Sequence, residues 1–326
     1  MQQGRLTEAE VSLAEALQLH RQAQDVIGEA GDLLCIGKLQ VRQGRLTEAE
    51  ASLAEALQLH RQAQDVIGEA GDLLRIGKLQ VRQGRLTEAE ASLAEALQLH
   101  RQAHSVAGEA CDLQSIGQLQ MQQGRLTEAE VSLAEALQLH RQAQDVVEET
   151  LALNLIGELE VLRNRLPEAE ARFFEALQLH RQAQDVTREA WGLQIIGLLQ
   201  MQQDRFTEAE VSLAEALQLH RQAQDVVEEA LALNLIGELE MLKNRLPEAE
   251  ARFFEALQLH RQAQDVNGEA EDLQKIGVLQ MEQNKLTEAE ASLAEALQLH
   301  RQAQNVVGEA QLLKIIRKLQ NPDASA

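Results

Sequence analysis

The sequence predicts an all-α solenoid, and three observations carry that prediction. First, a stretch of the form LTEAEASLAEALQLHRQ (Leu46 to Gln62) occurs eight times, starting at Leu6, Leu46, Leu86, Leu126, Leu166, Phe206, Leu246 and Leu286, so the period is 40 residues without a slip. A fixed period of this size marks stacked supersecondary units rather than the two globular domains that a length of 326 residues would suggest. Second, Ala, Leu, Glu, Gln and Arg dominate, Tyr is absent and there are only 3 prolines, a composition that favours helix throughout. Third, helix-capping and helix-ending residues stand at fixed places in every repeat, which resolves the chain into about sixteen helices.

One repeat, taken in order, shows the punctuation. Asp65 opens a helix, and its counterparts are Asp25, Ser105, Asp145, Asp185, Asp225, Asp265 and Asn305, all side chains that cap a helix N-terminus. Ala70, Leu73 and Gly77 then share a face, with Ile76 and Leu79 beside them. The helix ends at Gly84, matched by Gly4, Gly44, Gly124, Asn164, Asp204, Asn244 and Asn284, the residue types that tolerate a left-handed turn. Thr87 and Glu90 read as a capping box for a second helix, and Pro167 and Pro247 replace the threonine where a helix start accepts proline. That second helix carries Ala89, Leu93, Ala96 and His100 on one stripe. Neither helix can cover its own apolar stripe, so each packs on its neighbours, and Ala49, Ala56 and Gly77 are small where two backbones approach.

The chain is thus expected to be one array over 1–326. It holds a lone second helix over 5–24 and hairpins over 25–64, 65–104, 105–144, 145–184, 185–224, 225–264 and 265–304. A capping helix over 305–320 and a tail over 321–326 follow. Met1 to Gly4 match Met121 to Gly124, the end of a first helix, which points to a fragment of a longer protein. At the other end Asn321-Pro322 reads as a stop, Arg317 replaces a glycine present in every earlier repeat, and Lys314, Arg317 and Lys318 give a polar outer surface. A second period is superimposed: residues 121–200 and 201–280 differ at only 11 positions, so pairs of repeats were copied as blocks.

Several function classes drop out. A net charge of −22 repels nucleic acid and anionic membrane alike. Glu48, Glu50 and Glu55 with their repeats supply much of that charge and are expected to form a solvated face. No run of 18 apolar residues exists and no signal peptide is visible, while Cys35 and Cys111 lie too far apart in a stack for a disulfide; a reducing cytoplasmic location is expected. The nine histidines comprise the periodic series His20 to His300 and His104. The periodic copies are a repeat apart, too far to share a zinc ion, and are expected to pack half-buried; His100 and His104 share a helix face but lack a third ligand. Gly31 to Leu39 does not satisfy the phosphate-loop spacing, and no HExxH, GxSxG or activated nucleophile appears. Neither enzyme activity, nor a cofactor, nor a metal is expected.

The positions Leu73, Ile76, Gly77, Gly84, Leu86, Ala89, Leu93 and Ala96 resemble the tetratricopeptide signature along the whole chain. The unit is longer than the usual one, and Leu73 and Gln80 stand where large aromatics are frequent. In that respect it is similar to the repeats of kinesin light chains, of the Leu-Gly-Asn adaptors and of the sensor arrays of fungal NLR-like signalling ATPases. The resemblance implies a right-handed α-solenoid whose first helices line a concave groove for protein segments. It does not extend to the Lys/Asn/Arg clamp for chaperone carboxylates, since Glu158 and Glu238 stand one turn after Asn154 and Asn234.

Within this chain the second helix hardly changes between repeats, whereas the first helix varies strongly. The varying sites fall on one helix face, the one that the resemblance makes groove-lining. They supply the candidate binding residues: Leu34, Lys38 and Arg42; Leu74, Arg75, Lys78 and Arg82; Gln114 and Gln118; Asn154 and Glu158; Trp191 and Gln194; Asn234 and Glu238; and Gln274. The face is basic at its start and amide-rich or mixed later. A protein or peptide segment with an acidic end near the first two complete hairpins is the expected partner, with Trp191 as an anchor. The competing expectation is a structural scaffold that self-associates weakly through the lone N-terminal helix.

Overall fold

The computed structural model describes the backbone of residues 2–320 and the side chains of residues 8–317 and Leu319. Sixteen helices and no strand occur among the described residues. They are α1 (Gln2–Ala23), α2 (Val26–Arg42), α3 (Leu46–Ala63), α4 (Val66–Arg82), α5 (Leu86–Gln102), α6 (Val106–Gln122), α7 (Leu126–Ala143) and α8 (Val146–Leu162). There follow α9 (Leu166–Gln182), α10 (Val186–Gln202), α11 (Phe206–Ala223), α12 (Val226–Leu242), α13 (Leu246–Ala263), α14 (Val266–Glu282), α15 (Leu286–Gln302) and α16 (Val306–Gln320). Even-numbered helices are the first helices of the repeats and odd-numbered ones the second. Two compact units emerge, Met1–Arg172 and Phe173–Ala326, and each is a helical solenoid in which a helix packs on its sequence neighbours. The stop signal at Asn321-Pro322, the tail and the Lys318 side chain lie outside the described residues.

The expected caps of the first helices are formed. Asp65 accepts a hydrogen bond from Gly68 N at 3.0 Å, and Asp25, Ser105, Asp145, Asp185, Asp225, Asp265 and Asn305 do the same three residues ahead. The turn after each first helix is left-handed as expected, with φ of 75° at Gly84 and 57° at Asn164. Gly4 departs from that series, because α1 runs through it without a break. The capping box is also overturned. The second helices start at Leu86 and its equivalents with no side-chain cap, and the Glu90 carboxylate instead meets Arg125 of the next repeat at 2.8 Å. A further left-handed residue closes the second helices: Gln64 (φ 55°), with Asp65 N bonded to His60 O at 3.0 Å. Glutamine gives no sequence signal for that conformation, so the turn was illegible beforehand.

Packing inside a hairpin depends on the small residues. Ala89, Leu93 and Ala96 are fully buried, and Leu73 and Leu79 nearly so. A Cβ placed on Gly77 would stand 2.7 Å from Leu93 Cγ and 3.5 Å from the Ala89 carbonyl oxygen, so the two helices are in backbone-to-side-chain contact there. The same seat recurs at Gly37, Gly117, Gly197 and Gly277 against Leu53, Leu133, Leu213 and Leu293, and at Gly237 against Phe253. In the second unit this core continues through Leu257, Leu273, Ile276 and Leu279 to Leu312 of α16. Beyond Leu312 that helix presents Lys314 and Arg317 to solvent.

The acidic second-helix face is not merely solvated. Arg61 bridges Glu69 of the following first helix (2.6 Å) and Glu95 of the next second helix (2.7 Å). Arg85 reaches back to Glu50 at 2.6 Å and also binds Glu88, while Glu55 is held by Arg21. Each such pair is worth little alone in water, but each copy needs the identical residues in its neighbour.

The glycine seat gives a direct test. Gly77→Ala is expected to lower stability by ~1–3 kcal/mol through overpacking, since Leu93 must shift. At Gly71, inside the same helix, an added Cβ meets nothing within 4 Å, so Gly71→Ala is expected to raise stability by about 0.5–1 kcal/mol. Denaturant unfolding of the two variants beside the parent reads both; equal effects would refute the close approach.

Candidate functional site

The first helices place five cations of the first unit around one cavity of ≈ 560 Å³, lined by Lys38, Arg42, Arg75, Lys78 and Arg82. Its apolar floor comes from Leu39, Val41 and Leu79 of the first helices with Leu13 and Leu53 of the second ones; these last two were not among the expected site residues. The cations at i and i+4 in α2 and in α4 share a face, and Arg75 projects from α4 one turn before Lys78. None of the five makes an ion pair among the described residues. Burial lowers the Lys78 and Lys38 pKa, and the neighbouring Arg75 charge lowers both further. The cavity therefore holds like charges that repel one another, with no carboxylate in its lining and only the more distant Asp72, Asp112 and Glu148 acting on the lysines.

The remaining expected site residues divide into two groups. Four are withdrawn from the surface: Leu74 (5% exposed), Gln114 (8%), Gln194 (5%) and Asn234 (4%). They lie where one hairpin meets the next, so their side chains are consumed by packing. Leu74 joins the Leu93 and Leu119 core. Gln114 donates to Glu148 at 3.4 Å, Gln194 Oε1 meets His220 Nε2 at 3.1 Å, and Asn234 donates to Asp272 at 2.6 Å. The others stay accessible. Leu34, Asn154 and Gln274 are half-buried, Gln118 and Glu158 are exposed, and crowding still raises the Glu158 pKa by desolvation. Glu238 is half-buried and paired with Lys275, and Trp191 is 37% exposed. On the same varying sites Leu151 and Leu162 in the first unit, and Leu231 and Leu242 in the second, expose apolar surface.

Four of the periodic histidines are polar fixtures as well as packing pieces. His60 Nδ1 lies 2.6 Å from Asp72 Oδ2, His100 is 2.5 Å from Asp112, and His20–Asp32 and His260–Asp272 are both 2.6 Å. Each pair ties a second helix to the next first helix. Where the clamp exists, the residue capped by the preceding Asp or Ser is glycine; a Cβ on Gly68 would stand 2.5 Å from His60 Cδ2. Glu148, Arg188 and Glu228 occupy that place in three other repeats, and there the Asp is replaced by Ala152, Gly192 and Ala232. A side chain at that place would crowd the clamped ring, but glycine there does not by itself make a clamp: beside His300 stand Gly308 and Leu312, and neither ring nitrogen has a partner. The expected His100–His104 pairing is dissolved, since His104 lies beyond the end of α5 at φ 53°. A different grouping, invisible in linear spacing, brings Cys111, His140 and Glu148 together with donor atoms within 4.8 Å of one another.

Stacked helix hairpins that present an uncommitted face define a repeat scaffold, a class generally non-catalytic and used in protein–protein interaction. More particularly, residues 36–104 and 196–266 match the tetratricopeptide repeat family, and the array resembles one of tetratricopeptide repeats. The fold is similar to that of the Signal Transduction ATPase with Numerous Domains protein of Pyrococcus horikoshii, which has a tetratricopeptide repeat sensor (TM-score 0.74, 14% identity). That match covers 93% of this chain and 46% of the other, so the chain spans about half the archaeal protein's length. A Podospora anserina putative kinesin light chain with nearly identical repeats is also similar (TM-score 0.51, 9% identity, covering 59% of this chain and 95% of that one). So is a Rap protein complexed with Competence and Sporulation Factor (TM-score 0.57, 14% identity, 99% of this chain and 87% of that one). No curated protein matches the sequence. No helix among the described residues is long and apolar enough to cross a membrane.

His140, His180 and His220 titrate differently from His260. Burial holds His140, His180 and His220 below the ordinary imidazole pKa. For His260 burial also opposes the charge, but the Asp272 hydrogen bond and nearby carboxylates outweigh it and the pKa is raised. A histidine with a depressed folded pKa takes up a proton more readily when unfolded. Its contribution is therefore complete above a pH of about 6.5 and is lost as the pH falls below that value. His260 contributes with the opposite sign. The Tm of the triple variant His140→Gln, His180→Gln, His220→Gln is expected to fall less steeply than the parent's between about pH 7.5 and 5.5, whatever its absolute value. Parallel thermal melts check this, and an equal or steeper slope would contradict it.

Proposed function

We propose that the protein binds an extended or helical protein segment along the concave face of its first helices, with an acidic end of that segment seated among Lys38, Arg42, Arg75, Lys78 and Arg82. The observation that carries this is the five unpaired cations around one cavity in a chain of net charge −22. Second-helix arginines such as Arg21, Arg61 and Arg101 each hold two glutamates. A carboxylate or a run of them would relieve the mutual repulsion of the cavity and gain charge-assisted hydrogen bonds. The exposed apolar residues Leu151 and Leu162 further along the first unit suit apolar side chains of the same segment.

In this reading the buried Leu74, Gln114, Gln194 and Asn234 hold the face in shape without touching the ligand. The similarity to a sensor-bearing signalling ATPase supports a role as the ligand-reading part of an NLR-like protein. The likeness to a Rap protein in complex with a signalling factor is compatible with recognition of peptides. Two free thiols and the absence of a membrane-crossing helix among the described residues agree with a cytoplasmic setting.

A fluorescein-labelled Asp/Glu-rich peptide with a free C-terminal carboxylate tests the reading by anisotropy. Binding is expected to weaken as salt rises, and Lys78→Glu combined with Arg82→Glu is expected to weaken it about tenfold or more, roughly 1.4 kcal/mol, with the far-UV spectrum unchanged. No binding by the parent, or equal binding by the double variant, would show that the basic cavity is not the seat.

A further inference from the structure

The chain presents the same junction between consecutive hairpins several times, so each junction is a control for the others. Three equivalent positions mark it in the sequence: one in the second turn of a first helix, the histidine of the next second helix, and the residue three places after the next helix cap. Among these sets are Gly71, His100 and Gly108; Cys111, His140 and Glu148; Trp191, His220 and Glu228; Leu231, His260 and Gly268. Only the second of these sets consists of three groups that ligate metals. Its thiol, imidazole and carboxylate donor atoms all lie within 4.8 Å of one another, on α6, α7 and α8 of the first unit.

A second observation points the same way. His140 is 1% exposed, and its Nε2 is buried without a hydrogen-bond partner. It has no Asp clamp, because Ala152 stands where Asp112 holds His100. In the corresponding set of the second unit the ring nitrogen is satisfied, since His220 Nε2 meets Gln194. The residue equivalent to Gln194 is Gln114, whose amide nitrogen is drawn to Glu148 at 3.4 Å and whose Oε1 is also buried without a partner. Buried ring nitrogens without a partner also occur on His220, His260 and His300, so what sets this junction apart is the combination of an unpaired imidazole nitrogen and an unpaired amide oxygen with a thiol and a carboxylate.

We propose that Cys111, His140 and Glu148 form a zinc site joining three successive helices. A thiolate with an imidazole selects a borderline-soft ion over magnesium or calcium, and the three-ligand set with one open position is one that Zn²⁺ adopts. Ligand atoms around a tetrahedral zinc ion stand roughly 3.5 Å apart, given bonds of about 2.0–2.3 Å, so small side-chain rotations close the present arrangement. On binding, the Cys111 sulfur releases its proton to water as the zinc–sulfur bond forms. The dication is then balanced by one thiolate and one carboxylate, with neutral His140 and with water or Gln114 Oε1 as the fourth ligand. Because zinc displaces the thiol proton, affinity rises with pH. The site lies close to Lys78 of the basic cavity, but it does not depend on what that cavity binds.

The test uses the full chain freed of metal and titrated with Co²⁺ and then Zn²⁺. One equivalent of Co²⁺ is expected to give a near-ultraviolet thiolate-to-metal band that Zn²⁺ abolishes. Cys111→Ser, close in size and so safe for folding, is expected to lose the band and about a hundredfold or more of zinc affinity in a chelator competition. Glu148→Gln and His140→Gln are expected to weaken zinc as well, whereas Cys35→Ser leaves both readouts intact. Far-UV spectra confirm that each variant is folded, and Cys111→Ser decides the matter should His140→Gln unfold. Absence of stoichiometric binding in the parent, or a band and affinity unchanged by Cys111→Ser, would overturn the proposal.

Discussion

The structure depends on a single steric constraint: a glycine in each first helix lets a leucine or phenylalanine of the second helix sit against its backbone. At Gly77 an added methyl would lie 2.7 Å from Leu93 Cγ, and the same seat recurs along the chain. The close approach lets alanines such as Ala89 and Ala96 fill the layer, which explains how a chain with 2% aromatic residues still forms a continuous interior. The layers are thin, so stability comes from repetition rather than from any one large core.

Between hairpins the constraints become polar. Arginines bridge glutamates of the following first helix and the next second helix, as Arg61 does with Glu69 and Glu95. A second helix therefore serves both its own hairpin and its neighbour, and a change in one copy removes a partner from another. This accounts for the near-identity of the LTEAEASLAEALQLHRQ stretches. The histidine junctions differ along the chain: four are Asp-clamped beside a capping glycine, three are unclamped beside a capping Glu or Arg, and His300 is unclamped beside Gly308. Steric exclusion at the cap couples residues such as Gly68 and Asp72, four apart in sequence, through a ring from the preceding helix.

Pairing is uneven over the molecule. On the first-helix face of the first unit, five cations surround an apolar-floored cavity and make no ion pair among the described residues. On the second helices, arginines and glutamates pair with one another.

The sequence by itself determined the period, the helix-hairpin unit, the caps of the first helices, the left-handed turn at Gly84 and the small residues of the close approach. Each of these is a local rule written in residue types at fixed spacing. It also located the varying face, because repeats within one chain can be compared. Only the tertiary structure decided which varying residues remain on the surface. Leu74, Gln114, Gln194 and Asn234 vary like the others, but they vary with the junction they fill. The loss of the Thr87–Glu90 capping box has the same origin, since Glu90 is claimed by Arg125. The meeting of Cys111, His140 and Glu148 was likewise illegible, because it joins three helices whose order in sequence says nothing about distance between side chains. The glutamine that turns left-handed after most second helices, replaced by His104 after α5, was hidden for another reason: Asp65 N and His60 O, bonded across Gln64, impose the turn on a residue with no preference for it.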